Sequence, residues 1–294
     1  MNLTIDIIIP TFSRPQFIGP LARSLEKFLK DGDTIFVVWQ GAHKPEIQST
    51  ARLRFIHSAP PNLPKARNKG IAEGTGAIAL FLDDDIEAFD ENLLEIHRKI
   101  HEDACIGAVA GFIDDPLFTR QGESCSRYDE TTGEIIQNFS LLESRDTISV
   151  MGAHMSFKRA ALASIGGFDE NFKKNALWEE IDCAFRMRKS GWRIRYCPEA
   201  KVRHLRAQSG GCRSKSAIGY MYHQFANTAY FAARHAPRAY YRSWFRFWKY
   251  RLEFLSRRRV LGLRHDPRLV GAGILGAIRG IVRYLTRNKI GIKP

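Results

Sequence analysis

The chain has 294 residues, of which 44% are hydrophobic and 26% are charged. This composition excludes wholesale disorder and a polytopic membrane protein, and the length suits one large domain with an appendage or two modest domains. The net charge of +14 is uneven, because residues 201–294 contain 21 Lys or Arg and two acidic residues, whereas residues 1–200 contain 24 basic and 29 acidic residues.

The cysteines and the N-terminus indicate the cellular compartment in which the protein is expected. The five cysteines, at positions 105, 125, 183, 197 and 212, are neither closely paired nor even in number, which disfavours a disulfide framework and a zinc knuckle. Met1 leads directly into an apolar run, without the basic region, long apolar stretch and cleavage site of a secretory signal. We therefore expect a reducing, cytosolic location.

Strand and helix patterns alternate in the first part of the chain. Short apolar runs predict strands at residues 6–10, 34–39, 54–57 and 77–82, and helical periodicity predicts helices at residues 17–29 and 66–74. This alternation predicts an α/β fold with a mostly parallel sheet flanked by helices. Ligands then bind beyond the carboxyl ends of the strands. The loops expected to contact a ligand are therefore those that follow residues 10, 39 and 82.

The pattern continues less regularly in the second part. A helix is predicted at residues 91–102 and a strand at 106–112, whereas the polar residues 114–146 indicate a hairpin or a mobile loop region. Residues 155–165 and 179–190 have helical patterns, each ended by glycine, and a strand follows at 193–197.

Three adjacent carboxylates, Asp83, Asp84 and Asp85, directly follow the apolar strand at 77–82. Adjacent carboxylates repel one another, so a fold that keeps them at a strand end needs a positive charge nearby. A divalent cation supplies it, and Mg²⁺ or Mn²⁺ prefers oxygen ligands and completes its shell with water and phosphate. The alternative is a solvated acidic turn that caps the next helix.

A second acidic cluster contains Glu179, Glu180 and Asp182 and opens a helix directly after Trp178. The helix dipole favours carboxylates at this end, which explains one or two of them. A general base that deprotonates a sugar hydroxyl also needs such a carboxylate near a metal-bound phosphate. His204, which follows a predicted strand, is a third candidate, although a lone histidine is more often a surface or packed residue.

The order of the motifs resembles that of family 2 glycosyltransferases, which have the GT-A fold. The resemblance covers residues 3–206 and rests on six short motifs in the same order, at residues 8–15, 66–70, 81–85, 166–170, 179–186 and 196–204. It implies a Rossmann-like sheet, a nucleotide-sugar donor, a divalent metal and direct displacement at the anomeric carbon with inversion.

The resemblance assigns roles to residues around the donor. It implies that Pro10, Thr11 and Arg14 line the nucleotide pocket with Arg67 nearby. Asp83 faces the ribose and contributes to the metal site, and Asp84 belongs to the same donor-binding group. Asp85 binds the metal that bridges the diphosphate, and His204 provides a further metal or diphosphate contact.

The resemblance also assigns a base and an acceptor side. Glu180 takes the position of the carboxylate that activates the acceptor hydroxyl, preceded by Glu179, with Asp182 as the alternative base. His154 and Trp178 are expected on the acceptor side.

One departure from the family pattern affects the expected identity of the donor nucleotide. Family members usually carry paired aspartates after the second strand, where this chain has Trp39, Gln40 and Gly41. Gln40 can still hydrogen-bond a base edge. UDP is the favoured nucleotide, and GDP and dTDP stay open.

The basic tail, residues 211–294, interleaves arginine with aromatic residues and is expected to be helical. Its last apolar stretch, residues 269–278, is too short to span a bilayer, which takes about 20 residues. Interfacial helices on an anionic membrane, beside a lipid-linked acceptor or a polysaccharide precursor, fit this pattern. The alternative is helices that pack on the catalytic domain and leave their arginines solvated.

Two other classes of function are weighed against this interpretation. Basic and aromatic residues also suit single-stranded nucleic acid, but no nucleic-acid module is recognisable, so no nucleic-acid partner is expected. A nucleotidyltransferase would also place carboxylates and metal near phosphates. It would more naturally have a glycine-rich phosphate loop, and residues 11–15 contain no glycine. The sequence does not indicate the oligomeric state.

Overall fold

The computed structural model describes residues 3–42, 44–88, 90–116, 118, 122, 125–129, 134–207, 210–211, 216–235 and 267–287. The strands in these ranges are β1 Ile5–Thr11, β2 Thr34–Trp39, β3 Leu53–His57, β4 Ile78–Leu82, β5 Ile86–Glu87, β6 Ile106–Asp114, β7 Ser126–Asp129, β8 Glu134–Gln137, β9 Arg145–Asp146, β10 His154–Lys158 and β11 Arg193–His204. The helices are α1 Pro15–Glu26, α2 Leu63–Glu73, α3 Leu93–His101, α4 Arg159–Ile165, α5 Glu179–Lys189, α6 Ala217–His235 and α7 Pro267–Arg287.

The chain divides into two compact units. The first comprises Met1–Ser126, Gln137–Glu170 and Glu179–Gly211, and the second comprises Arg127–Ile136, Asn171–Trp178 and Cys212–Pro294. The boundary after residue 210, between a catalytic domain and the basic tail, stays a prediction. We also predict that the catalytic domain has a donor half at residues 1–112 and an acceptor half at residues 113–210.

A nine-stranded sheet forms the centre of the first unit. Its order is β3-β2-β1-β4-β10-β6-β11-β5, and β9 pairs with β11. Strands β1, β2, β3, β4, β6 and β11 run in one direction, and β5, β9 and β10 run in the other. The predicted α/β fold with a mostly parallel sheet is therefore confirmed. All seven residues of β1 are buried, as expected for a strand covered on both faces.

Helix α2 packs closely on β1 because it carries glycine at the contact. A Cβ added to Gly70 would lie 2.4 Å from Cγ2 of Ile8. Asn62 caps the helix by accepting a hydrogen bond from the Lys65 amide at 2.9 Å, and Gly74 follows its last residue. This packing fixes the start of α2 beside the carboxyl end of β1.

The prediction of a helix at residues 155–165 was wrong in its first part. His154–Lys158 is strand β10, which lies antiparallel between β4 and β6, and the helix α4 covers only Arg159–Ile165. The strand is five residues long, too short to separate a period of two from a helical period. Its extended conformation is determined by the two strands with which it pairs.

Two strands extend beyond their predicted ends. Strand β6 reaches Asp114 and β11 reaches His204, and the two are parallel neighbours with Arg203 opposite Asp114. Asp115 and His204 therefore lie at the same edge of the sheet. In the predicted hairpin region, β7 and β8 pair as a two-stranded sheet, as expected.

The second unit contains α6 and α7, which pack against each other. Among the described residues, Arg268–Arg287 is long and apolar enough to cross a membrane, judged by length and composition alone. The helix continues past Arg279, which interrupts the apolar run in the sequence, and the expectation that the tail has no spanning segment stays a prediction. The aromatic and basic run at residues 240–250, on which interfacial helices were expected, lies outside the described residues.

Candidate active site

The three carboxylates after β4 separate into one outward and two inward side chains. The Asp83 side chain is 36% exposed, whereas those of Asp84 and Asp85 are 5% and 3% exposed. Asp84 accepts hydrogen bonds from Thr11 Oγ1 at 2.7 Å and from Arg14 at 2.9 Å, and burial raises its pKa to about 6. Asp84 therefore holds the end of β4 to β1, and its predicted place among the donor contacts stays a prediction.

Arg14 is also occupied inside the protein. Its guanidinium lies 3.1 Å from Asp85 and donates to the carbonyls of Ala207 and Gly210. Gly211 permits this contact, since a Cβ there would lie 2.9 Å from Arg14 NH2, and its φ of +68° suits glycine. Arg14 thus holds the acidic loop to Ala207 and Gly210, and its predicted place in the nucleotide pocket stays a prediction.

Asp85 is tied to the chain that follows β11. Its Oδ2 accepts the Ala207 amide at 2.8 Å, and its carbonyl accepts the Leu205 amide at 2.9 Å. Burial opposes ionisation, but the hydrogen bond with His204 and the charge of Arg14 lower the pKa of Asp85 to about 2. Asp85 is therefore an ionised carboxylate in a fixed position.

Asp83, Asp85 and His204 form a group whose ligand atoms all lie within 4.8 Å of one another. His204 Nε2 is 3.4 Å from Asp85 Oδ1. Two carboxylates and an imidazole suit Mg²⁺ less well than Mn²⁺, which accepts nitrogen as well as oxygen ligands, but both ions accept the carboxylates. The residues that were predicted to bind metal, 121 positions apart, are thus brought together, and the site fits a divalent cation.

Asp115, which the sequence analysis missed, holds His204 in this orientation. Its buried carboxylate is 2.9 Å from His204 Nδ1 and accepts from Arg206 Nε at 2.7 Å. A hydrogen bond at Nδ1 leaves Nε2 directed to the ligand group. The signal was present in the sequence, because Asp115 follows the end of a buried strand as Asp83 does.

Arg67 connects the metal-ligand group with the acidic helix α5. Its buried guanidinium is ion-paired with Glu179, lies 3.8 Å from Asp83 and donates to the Gly152 carbonyl at 3.3 Å. It also lies over the rings of Phe81 and Phe168. Arg67 is therefore held in place by buried protein groups, and its predicted position near the nucleotide stays a prediction.

Glu180 differs from the other two acidic residues of α5. Glu179 is buried against Arg67, and Asp182 is buried and accepts from Arg186 at 2.8 Å, whereas Glu180 is partly exposed. Burial and the charge of Asp83 raise the pKa of Glu180, and Arg67 opposes them. Of these three carboxylates Glu180 is thus the one that reaches the surface, and its assignment as the base, with Asp182 as the alternative, stays a prediction.

Gln40 and its neighbour Pro10 lie at the carboxyl ends of β2 and β1, as expected. Both are buried, and Gln40 Oε1 accepts the Asn62 amide at 2.8 Å. Gln40 therefore fastens the end of β2 to the start of α2. A contact between Gln40 and a nucleotide base stays a prediction.

The two residues predicted on the acceptor side are both buried. His154 Nε2 is 2.9 Å from His97 Nε2, its Nδ1 is 3.3 Å from the Phe112 carbonyl, and burial lowers its pKa to about 4. Trp178 stacks on Phe231 and donates to Thr228 at 2.9 Å. Both side chains are held by packing contacts, and their assignment to the acceptor side stays a prediction.

His154 belongs to a buried histidine cluster, made of His97, His101 and His154 around Ser156. The Ser156 hydroxyl is 2.8 Å from His97 Nδ1 and 2.8 Å from His101 Nε2. Burial lowers the pKa of all three imidazoles, that of His101 to about 3. The cluster is neutral at physiological pH.

Comparisons with known proteins agree with this geometry. The sequence pattern of "Glycosyl transferase family 2" matches residues 6–166, which is more than half of the chain, whereas the search of curated proteins finds no match. Strands β2 to β4, all of β1 except Ile5, and the acidic residues that follow β4 lie within the matched region.

Solved structures show the same fold at low sequence identity. A crystal structure of GalNAc-T7 with UDP, GalNAc and Mn²⁺ is 14% identical with a TM-score of 0.58, and it covers 79% of this chain, which spans 50% of that one. The mannosyltransferase PcManGT of Pyrobaculum calidifontis, in complex with GDP-Man and Mn²⁺, is 15% identical with a TM-score of 0.55, and the match covers 100% of this chain and 81% of that one.

A third structure, S. aureus TarS 1-349, is 14% identical with a TM-score of 0.57, and the match covers 99% of this chain and 93% of that one. The mostly parallel sheet and its flanking helices are those of the GT-A fold. With the fold and more than half of the sequence in agreement, this chain belongs to glycosyl transferase family 2.

Proposed function

We propose that this protein is an inverting glycosyltransferase that moves a sugar from a nucleoside diphosphate sugar to an acceptor hydroxyl. The observation that carries the proposal is the convergence of Asp83, Asp85 and His204 at one edge of the sheet. Glu180 lies close enough to Asp83 for the two charges to interact. One edge therefore carries a site for a metal diphosphate and a carboxylate that can take a proton.

The metal-ligand group would hold the diphosphate end of the donor. Asp83, Asp85 and His204 would bind Mg²⁺ or Mn²⁺, which offsets the charge that develops on the leaving diphosphate. The structural neighbours that contain Mn²⁺ support this role. Asp84, Arg14 and the segment at residues 204–207 keep the ligands in place before the donor arrives.

Glu180 would act as the general base. The acceptor oxygen forms a bond with the anomeric carbon, its proton passes to Glu180, and the bond to the diphosphate oxygen breaks with its electron pair on the leaving group. One displacement of this kind inverts the anomeric centre. A raised pKa suits the role, because a carboxylate with a pKa closer to neutrality accepts a proton more readily.

The donor nucleotide is proposed to be UDP, with GDP and dTDP as alternatives. One neighbour is described with UDP and another with GDP-Man, so the shared fold accommodates either. Gln40, which stands where the family usually has an aspartate, is tied to Asn62. The nucleotide must therefore be identified by measurement.

The acceptor is proposed to be a lipid-linked or polysaccharide precursor at the cytoplasmic face of an anionic membrane. The support is electrostatic: residues 201–294 carry 21 basic and two acidic residues. Each basic residue near an anionic surface contributes about 1 kcal/mol of attraction. The enzyme would then be peripheral on the membrane, with no nucleic acid partner.

Titration calorimetry of the full chain with UDP, GDP and dTDP, each with and without Mn²⁺, tests the proposal. We expect one nucleotide to bind in the presence of Mn²⁺ and to bind at least about tenfold more weakly without it, since the metal held by Asp83, Asp85 and His204 would offset the charge of the diphosphate. Binding of none of the three in either condition would contradict a nucleotide-sugar site. Equal binding with and without the metal would contradict the metal site.

A further inference from the structure

Helix α7 packs on α6 through its small residues. A Cβ added to Gly276 would lie 2.2 Å from the Tyr222 carbonyl oxygen, and one added to Gly280 would lie 2.2 Å from the Ala226 carbonyl oxygen. Contacts this short leave no room for larger side chains, so the two helix backbones approach closely. This is the packing that small residues at four-residue spacing permit.

The large apolar side chains of α7 point away from α6. Six of them are between 41% and 62% exposed: Val270, Ile274, Leu275, Ile278, Val282 and Leu285. At 3.6 residues per turn they cover an arc of about 140° along the whole helix. We call these six residues the α7 apolar face. A helix of a water-soluble protein normally turns its large apolar residues inward, so this arrangement is the reverse of the usual one.

Charge at the edge of this face indicates its partner. Arg268 and Arg279 lie exposed beside it, and α7 contains no acidic residue. Arg283 lies on the opposite side of the helix, where it donates to the Asn171 carbonyl at 2.8 Å and to Asn227 at 3.0 Å. An apolar face bordered by arginine matches the boundary between acyl chains and anionic headgroups.

A groove beside the face has the same character. It has a volume of about 410 Å³, is almost entirely apolar, and is lined by Tyr222 of α6 and Leu275 of α7, with Arg268 at its edge. Such a groove can accept a hydrocarbon segment while the arginine meets a phosphate. A second copy of the chain fits less well, because two faces bordered by arginine and attached to strongly basic tails repel each other.

We infer that the α7 apolar face inserts into the acyl-chain boundary of an anionic lipid bilayer, with α7 lying in the plane of the interface and α6 covering its other side. The in-plane orientation follows from the packing, since one side of α7 is covered by α6 and its polar Asn227 contact. This inference deepens the proposed membrane location and rests on it, but it does not depend on the transferase chemistry.

A matched pair of substitutions tests the inference in the full chain. Ile278→Glu and Thr286→Glu each place one glutamate at an exposed position of α7, but only the first lies on the apolar face. Flotation with vesicles of phosphatidylcholine and phosphatidylglycerol measures binding. We expect Ile278→Glu to weaken binding on the order of 50-fold or more, because it adds a negative charge and also removes an isoleucine that would enter the acyl chains. Thr286→Glu, which adds the charge alone, should weaken binding by at most about fivefold.

The outcomes separate the inference from the proposed membrane location. Equal weakening by the two substitutions would show that attraction is purely electrostatic, and it would overturn insertion while leaving the membrane location. No vesicle binding by the unmodified chain would overturn both. Lipid-free dimers that Ile278→Glu dissociates, with vesicle binding unchanged, would assign the face to a second copy.

Nucleotide binding on the same samples provides the independent control. Both variants are expected to retain the Mn²⁺-dependent nucleotide binding of the unmodified chain, because α7 belongs to the second unit and the ligand group to the first. A loss of that binding in Ile278→Glu alone would show that the substitution damages the fold, and the double variant Ile274→Ser with Ile278→Ser, which adds no charge, would then decide the vesicle result.

Discussion

Replacing Asp115 by asparagine should weaken Mn²⁺ binding without changing any proposed metal ligand. Asp115 accepts hydrogen bonds from His204 Nδ1 at 2.9 Å and from Arg206 Nε at 2.7 Å. Asparagine has the same shape but only one acceptor oxygen, so its amide group must face His204 or Arg206, both of which donate. The imidazole would then lose the partner that orients Nε2 toward Asp85.

The expected loss of Mn²⁺ affinity follows from this contact. A hydrogen bond to a charged group is worth about 1.5–3 kcal/mol, and removal of a group that orients a metal-ligating histidine typically weakens metal affinity by about 10–100-fold. That range corresponds to about 1.4–2.7 kcal/mol, so the two estimates agree. We therefore expect the dissociation constant for Mn²⁺, measured at saturating UDP, to rise by about 10–100-fold.

Calorimetric titration with Mn²⁺ measures the effect, and Asp114→Asn is the matched control. Asp114 is the neighbouring carboxylate, but it is exposed and pairs with Arg203 at the surface, so its substitution should change the affinity by less than about threefold. If Asp115→Asn binds Mn²⁺ as tightly as Asp114→Asn does, Asp115 does not orient His204. Urea unfolding of both variants separates this result from a general loss of stability.

Three further outcomes are expected. Glu180→Gln should retain Mn²⁺-dependent nucleotide binding and lose transfer by about 10²–10⁴-fold, the usual contribution of a general base; normal transfer by this variant would exclude Glu180 as the base. Gly70→Ala should lower the free energy of unfolding by about 1–3 kcal/mol, because its Cβ would lie 2.4 Å from Ile8, whereas Gly41→Ala, whose Cβ meets nothing closer than 3.7 Å, should not; urea denaturation measures both. Acid should destabilise the buried histidine cluster: the unfolded chain takes up protons near pH 6.5, but the pKa of His154 in the fold is about 4, so stability is lost as the pH falls below about 6.5. Between pH 8 and pH 5 the loss should be about 2 kcal/mol larger for the unmodified chain than for His154→Gln, and equal losses would show that His154 is not buried in neutral form.

The alternation of strands and helices in residues 1–112 was predictable, because buried parallel strands are short apolar runs and the intervening helices have a clear period. Strand β10 was not predictable, since its five residues carry no distinctive period and its conformation depends on β4 and β6 on either side. The extension of β11 to His204 was also missed, although residues 199–203 alternate between exposed and buried as in a half-buried strand, because Pro198 interrupts the apolar run before them.

The residues of the metal-ligand group were predictable from the sequence, but the separate roles of the three neighbouring carboxylates were not. Three consecutive carboxylates indicate a site, but only the structure shows that Asp84 and Arg14 neutralise each other inside the protein. Asp115 was missed because its partner, His204, is 89 residues away along the chain. The burial of His154 and Trp178 was not foreseen, because a sequence motif does not record which way a side chain points.

Mn²⁺ binding at saturating UDP, compared between Asp85→Asn and Glu87→Gln, tests the central claim most directly. Both substitutions remove one negative charge, but Asp85 belongs to the ligand group, whereas Glu87 is exposed and pairs with Arg203. The account predicts that Asp85→Asn binds Mn²⁺ at least about 100-fold more weakly than the unmodified chain, while Glu87→Gln stays within about threefold. Mn²⁺ binding of equal strength in the two variants would contradict the assignment of Asp83, Asp85 and His204 as the metal site.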